Sequence, residues 1–294
     1  MNNNILIVGA EGQLSNEINA ITKSFSRFKF QFATIDDLDI TDESAVTNYL
    51  NQNKTNYIIN CAAYTAVDDA EENEDLAFLV NARGPEILAK VSNELNILLI
   101  HISTDYVFDG KKTGDYVEND ITIPLSVYGK SKLKGELEVL KNCNTAYVIR
   151  TSWLYSSFNA NFVKSMLKLA ETRKELDIVA DQYGSPTYAK DLANVILTII
   201  DKYHRKKVID GFGIYHYSNE GVTTWYGFAK RIMDEAKTGC IINPISTIEY
   251  PLPAARPQNS SMSKEKIKKH FGLKIPTWKE SLKSCMNQIL FNNE

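Results

Sequence analysis

Short apolar runs at 5–8, 28–35, 57–60, 97–103 and 146–150 alternate with stretches of helical pattern, and this alternation constrains the fold more than any other feature. A helix is expected from Gln13, another from Thr41 to Asn51, a third from Pro85 to Glu94, and a fourth after Pro124. Thr41-Asp-Glu43 supplies an N-cap and an acidic first turn, and Pro85 suits a first helical turn. Strands that alternate with helices pair in parallel, with helices on both faces. Right-handed crossovers then give an α/β fold, a Rossmann-type doubly wound parallel sheet.

After Arg150 the pattern loosens. Helices are expected at 159–173, 188–203, 224–237 and 278–290, and short strands at 176–179, 213–217 and 241–248. Pro244, Pro251, Pro253 and Pro257 fall in one irregular stretch, which also holds Arg256 and Asn259 and reads as a loop over a site. The expected division is a dinucleotide-binding domain at 1–150 and a smaller, interleaved C-terminal lobe at 151–294, with some segments returning to the first domain.

A net charge of −3 and the absence of a basic stripe argue against nucleic acid as a partner. The lysines of 264–269 are interrupted by Glu265 and apolar residues, as on a helix with a solvated basic face. No apolar run reaches the roughly 18 residues of a membrane span. Met1-Asn-Asn-Asn4 enters an apolar run directly, without the regions of a signal peptide. Cys61, Cys143, Cys240 and Cys285 are scattered, as expected of reduced thiols in the cytoplasm. His101, His204, His216 and His270 show no zinc spacing, and no metal site is expected.

The chemistry gathers at strand ends. Gly9-Ala-Glu11-Gly12-Gln13-Leu14-Ser15 follows the first strand and opens a helix. Glycines there allow a tight turn and close approach to a pyrophosphate, whose charge the helix N-terminus favours. Ser15 stands where a third glycine usually serves helix packing. Asp36, Asp37 and Asp39 follow the second strand. A carboxylate there accepts from an adenosine ribose and repels a 2′-phosphate, which favours NADH over NADPH and leaves dual use open. Ile40 is placed to cover an adenine ring. Asn60-Cys-Ala62-Ala63-Tyr64-Thr65 closes the third strand with small residues that admit a cofactor, and Asn81 is a candidate polar support. Ser103-Thr104-Asp105-Tyr106 closes the fourth strand. Tyr128 and Lys132, four apart, share one helix face. An ammonium there favours the phenolate and lowers the tyrosine pKa, while the Thr104 hydroxyl holds a substrate carbonyl.

In combination these segments resemble the extended short-chain dehydrogenase/reductase superfamily and, more finely, its dTDP-4-dehydrorhamnose reductase family. The segments that carry the likeness are Gly9-Ala-Glu-Gly-Gln-Leu14, Leu38-Asp-Ile-Thr41, Asn60-Cys-Ala-Ala-Tyr-Thr-Ala-Val-Asp68, Ser103-Thr-Asp-Tyr-Val-Phe-Asp-Gly110, Tyr128-Gly-Lys-Ser-Lys-Leu-Lys-Gly-Glu136, Arg150-Thr-Ser-Trp-Leu-Tyr155, Asp181-Gln-Tyr-Gly-Ser-Pro-Thr187 and Arg256-Pro-Gln-Asn-Ser260. The resemblance implies hydride transfer from NADH or NADPH to C4 of a nucleotide-sugar substrate, dTDP-4-dehydro-β-L-rhamnose. It implies Tyr128 as proton donor, Lys132 as the group that tunes Tyr128 and holds the nicotinamide ribose, and Thr104 as donor to the keto oxygen. It further implies Asp105 and Trp153 near the sugar nucleotide, Arg256 toward its diphosphate, Asn259 among the substrate-binding residues, and a structural turn at Ser185, Pro186 and Thr187. Some members hold Mg²⁺ between the subunits of a homodimer through glutamates. Glu17 matches one such position, whereas Asp191 and Glu294 do not convincingly supply the others.

Two alternatives remain open. A dehydratase or epimerase of nucleotide sugars shares the fold, but a 4,6-dehydratase would carry Asp-Glu after the threonine, where Asp105 is followed here by Tyr106. A non-catalytic regulatory subunit on the same fold can lose the Tyr/Lys pair, which this chain keeps.

Overall fold

The apolar runs of the first half pair into a single parallel sheet. A computed structural model describes residues 3–291. In chain order the first half comprises β1 (Asn4–Val8), α1 (Gln13–Ile21), β2 (Lys29–Ala33), α2 (Glu43–Gln52), β3 (Tyr57–Asn60), α3 (Glu74–Phe78), α4 (Gly84–Glu94), β4 (Leu98–Thr104), α5 (Val127–Asn142) and β5 (Ala146–Thr151). The second half adds β6 (Leu154–Tyr155), α6 (Phe162–Ala170), β7 (Glu175–Val179), β8 (Tyr183–Gly184), β9 (Thr187–Tyr188), α7 (Ala189–His204), β10 (Gly213–His216), β11 (Thr223–Thr224), α8 (Trp225–Ala236), β12 (Ile241–Ile245), α9 (Glu265–Phe271) and α10 (Trp278–Phe291). The main sheet runs β2-β1-β3-β4-β5-β10, and every neighbouring pair in it is parallel.

Alternation along β1 divides the core. Ile5 and Ile7 point to the face covered by α1 and α7, where they join Leu14, Ile18, Leu192 and Ile196. Leu6 and Val8 point to the opposite face and join Val46 of α2, Ile87 and Leu88 of α4, and Val139 of α5. This is the period-two geometry of a strand buried on both sides. A third cluster, including Val163, Phe228, Ile232, Leu282 and Met286, binds α6, α8 and α10 to β7 and forms the core of the second lobe. Segments of the second half also complete the first: α7 packs on α1, and β10 extends the sheet beyond β5.

Pro85 stands in the first turn of α4, as its missing N–H suits, and a π turn, Leu79–Arg83, joins α3 to α4 without a break. One local expectation changes. The lysines of 264–269 are not all solvated. Lys264 is buried, and Lys268 pairs with Glu220 at 2.9 Å, because Ile267 and Phe271 dock α9 into the core.

Arg150, the largest fully buried side chain, sits on β5 and binds Glu136 of α5 through Nε–Oε1 at 2.8 Å and Nη2–Oε2 at 2.7 Å. Ser103 of β4 donates to the same carboxylate. The pair therefore pins α5 across two strands. Glu136→Ala leaves a buried guanidinium without its partner and is expected to lower stability by about 3–5 kcal/mol, read from the urea unfolding midpoint. Glu136→Gln, which still accepts hydrogen bonds, is expected to lose less. A loss below about 1 kcal/mol for the alanine variant would place the pair with surface ion pairs.

Candidate active site

The sheet order reverses at β1, whose neighbours are β2 on one side and β3 on the other. The loops leaving β1 and β3 therefore diverge and leave a crevice at the carboxyl ends of the strands. A cavity of about 690 Å³ opens there, walled by segments that follow β1, β2, β3, β4 and β5. Residues 9–14, Ala62, Ala63, Thr65, Thr104, Asp105, Tyr128, Lys132 and Trp153 all border it.

The 9–14 turn is built for close contact. Gly9 has φ 79°, and a Cβ on it would lie 2.7 Å from the Ala62 nitrogen. Ser15 donates to the Gly9 carbonyl at 2.7 Å, so the residue in the third glycine's place stiffens the turn. The N-terminus of α1 has no side-chain cap and no acidic residue in its first turn. Its unpaired N–H groups and positive dipole end border the cavity, a fit for a pyrophosphate.

The helix α5 carries Tyr128 to the other wall. Ser126 caps it by accepting from the Gly129 nitrogen at 3.1 Å, and Glu71 accepts from the Val127 nitrogen at 2.8 Å. Gly129 is required by packing, since a Cβ there would meet the Tyr106 carbonyl at 2.3 Å. That approach brings Tyr128 beside Thr104. Asn81, on the π turn, clamps Tyr64 through both its N–H (2.8 Å) and its carbonyl (3.0 Å), and donates to Ser131 of α5 at 3.0 Å. It therefore ties the loop after β3 to the helix without itself lining the cavity.

Electrostatics set the resting state. Burial pushes the Tyr128 phenol up to about 12, with the neighbouring Thr104 hydroxyl acting the other way. Burial pulls Lys132 down to about 8, with Glu136 opposing. The ammonium donates to the Ile102 carbonyl at 2.6 Å. Desolvation is the largest influence on the phenol and holds Tyr128 in its neutral form. Thr104 donates to Asp105 at 3.1 Å and accepts from the Tyr106 nitrogen at 3.2 Å. Burial raises Asp105 to about 6, and its Oδ2 is buried with no partner.

Several expected residues stand elsewhere. Asp36 and Asp39 are exposed and outside the cavity wall; Asp39 accepts from Thr41, and Asp37 from Thr34. The lean toward NADH therefore has no support here. Ile40 is buried in the core and packs against Gly84, whereas Ile35, 70% exposed, borders the cavity. Tyr64 turns toward Ala70, Ala77 and Val127. Asn259 donates to the carbonyls of Lys112 and Gly114 at 2.8 Å each and accepts from Ser261, so it holds a loop instead of facing a ligand. Glu17 is buried and accepts from Ser156 at 2.7 Å, while Asp191 accepts from Asn219 and Ser281. Glu294 lies outside the described residues. Among those residues there is no group of three or more His, Cys, Asp or Glu that could hold a metal, and no helix long and apolar enough to cross a membrane.

A second cavity of about 920 Å³ adjoins the first at Tyr106, which borders both. Arg256, Phe162 and Trp225 line it. Trp225 stacks on Trp153 with ring centroids 3.7 Å apart and planes 9° from parallel. Trp153 itself is held at φ 48°, strained for a bulky residue and located where the cavities meet. Sequence reasoning missed Ile35, Tyr106 and Trp225. An apolar residue directly after a strand end marks Ile35, and adjacency to Thr104-Asp105 marks Tyr106. Trp225 gave no signal, because only the fold sets it against Trp153.

The chain matches the family described as the RmlD substrate binding domain over residues 3–291. It is 41% identical to a dTDP-4-dehydrorhamnose reductase of Aggregatibacter actinomycetemcomitans over 286 residues, 95% of this chain and 97% of the relative. A crystal structure of a dTDP-4-dehydrorhamnose reductase from Clostridium acetobutylicum superposes with a TM-score of 0.92 at 40% identity, covering 98% of this chain and 99% of that one. The enzyme of the same name from Bacillus anthracis, in complex with NADP, also gives 0.92, at 36% identity and with 98% and 100% covered.

Gly9→Ala combines an unfavourable φ with a backbone clash. It is expected to weaken NADPH binding by at least about tenfold while circular dichroism shows the fold retained. Nicotinamide fluorescence titration reads the loss, and unchanged affinity would remove the 9–14 turn from the cofactor site.

Proposed function

Because the chain belongs to the RmlD substrate-binding-domain family, we propose that it reduces the C4 keto group of dTDP-4-dehydro-β-L-rhamnose to dTDP-L-rhamnose with NAD(P)H, the last step of dTDP-rhamnose synthesis. The observation that carries this is the convergence of Thr104, Tyr128 and Lys132 on one cavity with the 9–14 turn.

The 9–14 turn and the N-terminus of α1 hold the pyrophosphate, and Lys132 holds the nicotinamide ribose. When bound, the reduced nicotinamide supplies a hydride to the carbonyl carbon. Thr104 turns its hydroxyl from Asp105 to the keto oxygen and stabilises the charge that develops there. Tyr128, neutral at rest, gives its proton to the forming alkoxide. A raised pKa suits that role, since a resting phenolate has no proton to give. The unpartnered Oδ2 of Asp105 accepts a sugar hydroxyl. Trp153 packs on the sugar, and the second cavity takes the nucleotide, with Arg256 at its diphosphate. A homodimer and a cytoplasmic location complete the proposal; sedimentation velocity tests the first.

Tyr128→Phe is expected to keep NADPH binding and to lower kcat by about 10²–10⁴. Nicotinamide absorbance reads this, with the 4-keto sugar made in situ by its preceding enzymes. Near-normal turnover would end the assignment of Tyr128. The pH profile gives an independent check. Lys132 is charged below about 8 and discharges above it, so kcat/KM should fall as pH rises through that value. Lys132→Met should remove that limb together with most of the activity.

A further inference from the structure

One ion pair joins the loop after β3 to the Pro-rich strap after β12. Thr65 and Val67 line the first cavity, and Asp68 follows them. Its carboxylate accepts from Arg256 Nη1 and Nη2 at 2.6 Å each and from the Ala254 nitrogen at 3.1 Å. Arg256 Nη1 also donates to the Ala254 carbonyl at 2.6 Å. Ala254 and Arg256 line the second cavity. Three of the five N–H donors of Arg256 are thereby engaged by Asp68 and Ala254, and the others remain for a ligand. The contact is partly open, with Arg256 15% and Asp68 34% exposed.

Downstream of Arg256 the strap is held by backbone bonds of Gln258 and Asn259 to Tyr183 and Gly110, whereas upstream it is open to solvent. Ile248, Tyr250 and Leu252 are 90%, 53% and 42% exposed. A long guanidinium side chain loses rotamer entropy when it binds an anion, and a carboxylate that already orients it removes much of that cost. Asp68 does this from a loop whose neighbouring residues touch the dinucleotide cavity.

We propose that Asp68 is a positioning residue for nucleotide-sugar binding: it presents Arg256 to the substrate diphosphate and transmits occupancy of the dinucleotide cavity to the second cavity. This rests on the assignment of the second cavity to the nucleotide. Cofactor packed against Thr65 and Val67 fixes the loop, so Asp68 holds Arg256 more firmly and diphosphate binding tightens. By linkage the diphosphate tightens the cofactor by the same factor.

Calorimetric titration of the full chain with dTDP, and separately with inorganic pyrophosphate, each with and without NADP⁺, tests this. In the wild type NADP⁺ is expected to tighten dTDP by about fivefold. Asp68→Asn should weaken dTDP by about tenfold and abolish the enhancement, leaving the affinity for NADP⁺ alone within about twofold. Arg256→Gln should weaken dTDP similarly, and the double variant should be no worse than Arg256→Gln alone. Wild-type or tighter dTDP binding by Asp68→Asn, or additive losses in the double variant, would overturn the role of Asp68. Asp68-dependent binding of pyrophosphate without binding of dTDP would sink the nucleotide assignment and keep Asp68. Binding of neither probe would sink both.

Discussion

The docking of α5 onto the end of β4 is the constraint from which the site follows. Its contacts fall about a turn apart along one helix face. Gly129 touches the Tyr106 carbonyl, Lys132 donates to the Ile102 carbonyl, and Glu136 binds Ser103 and Arg150. The helix runs against the strand, so its first turn reaches the carboxyl end of the sheet. A change in any one of these contacts would slide Tyr128 along Thr104.

The same docking explains the charge states. Lys132 and Asp105 lie beneath surfaces that water barely reaches, and their pKa values move toward neutrality from opposite sides, to about 8 and about 6. Groups so poised are common where protons are handled. Glu136 and Arg150 pair with one another below that layer. The lysine therefore sits above a paired carboxylate whose residual charge still favours its ammonium against burial.

Much of this was legible in the sequence wherever function and local geometry use the same residues. The 9–14 turn, the strand ends and the Tyr128–Lys132 spacing each have a local physical reason, and the structure places them around one cavity. Legibility failed where a residue's role depends on a partner distant in the chain. Asp39 and Ile40 look like ribose and adenine contacts, but one closes its own turn on Thr41 and the other fills space against Gly84. Asn259 sits in a ligand-like motif yet holds the 112–114 loop. The two-residue strands β6, β8, β9 and β11 carry no periodicity to read. Glu136 lies within a segment of the sequence likeness, but the arginine that gives it meaning lies on the next strand.

The stacked indoles of Trp153 and Trp225 have a spectroscopic consequence. Two of the three tryptophans in the chain lie face to face at the seam between the cavities, while the third, Trp278, is buried at a distance against Phe228. At a centroid separation of 3.7 Å their transition dipoles couple, and light absorbed by one is shared with the other. The seam thus carries a built-in chromophore pair whose exciton signal reports the relative tilt of the two walls, with no label attached.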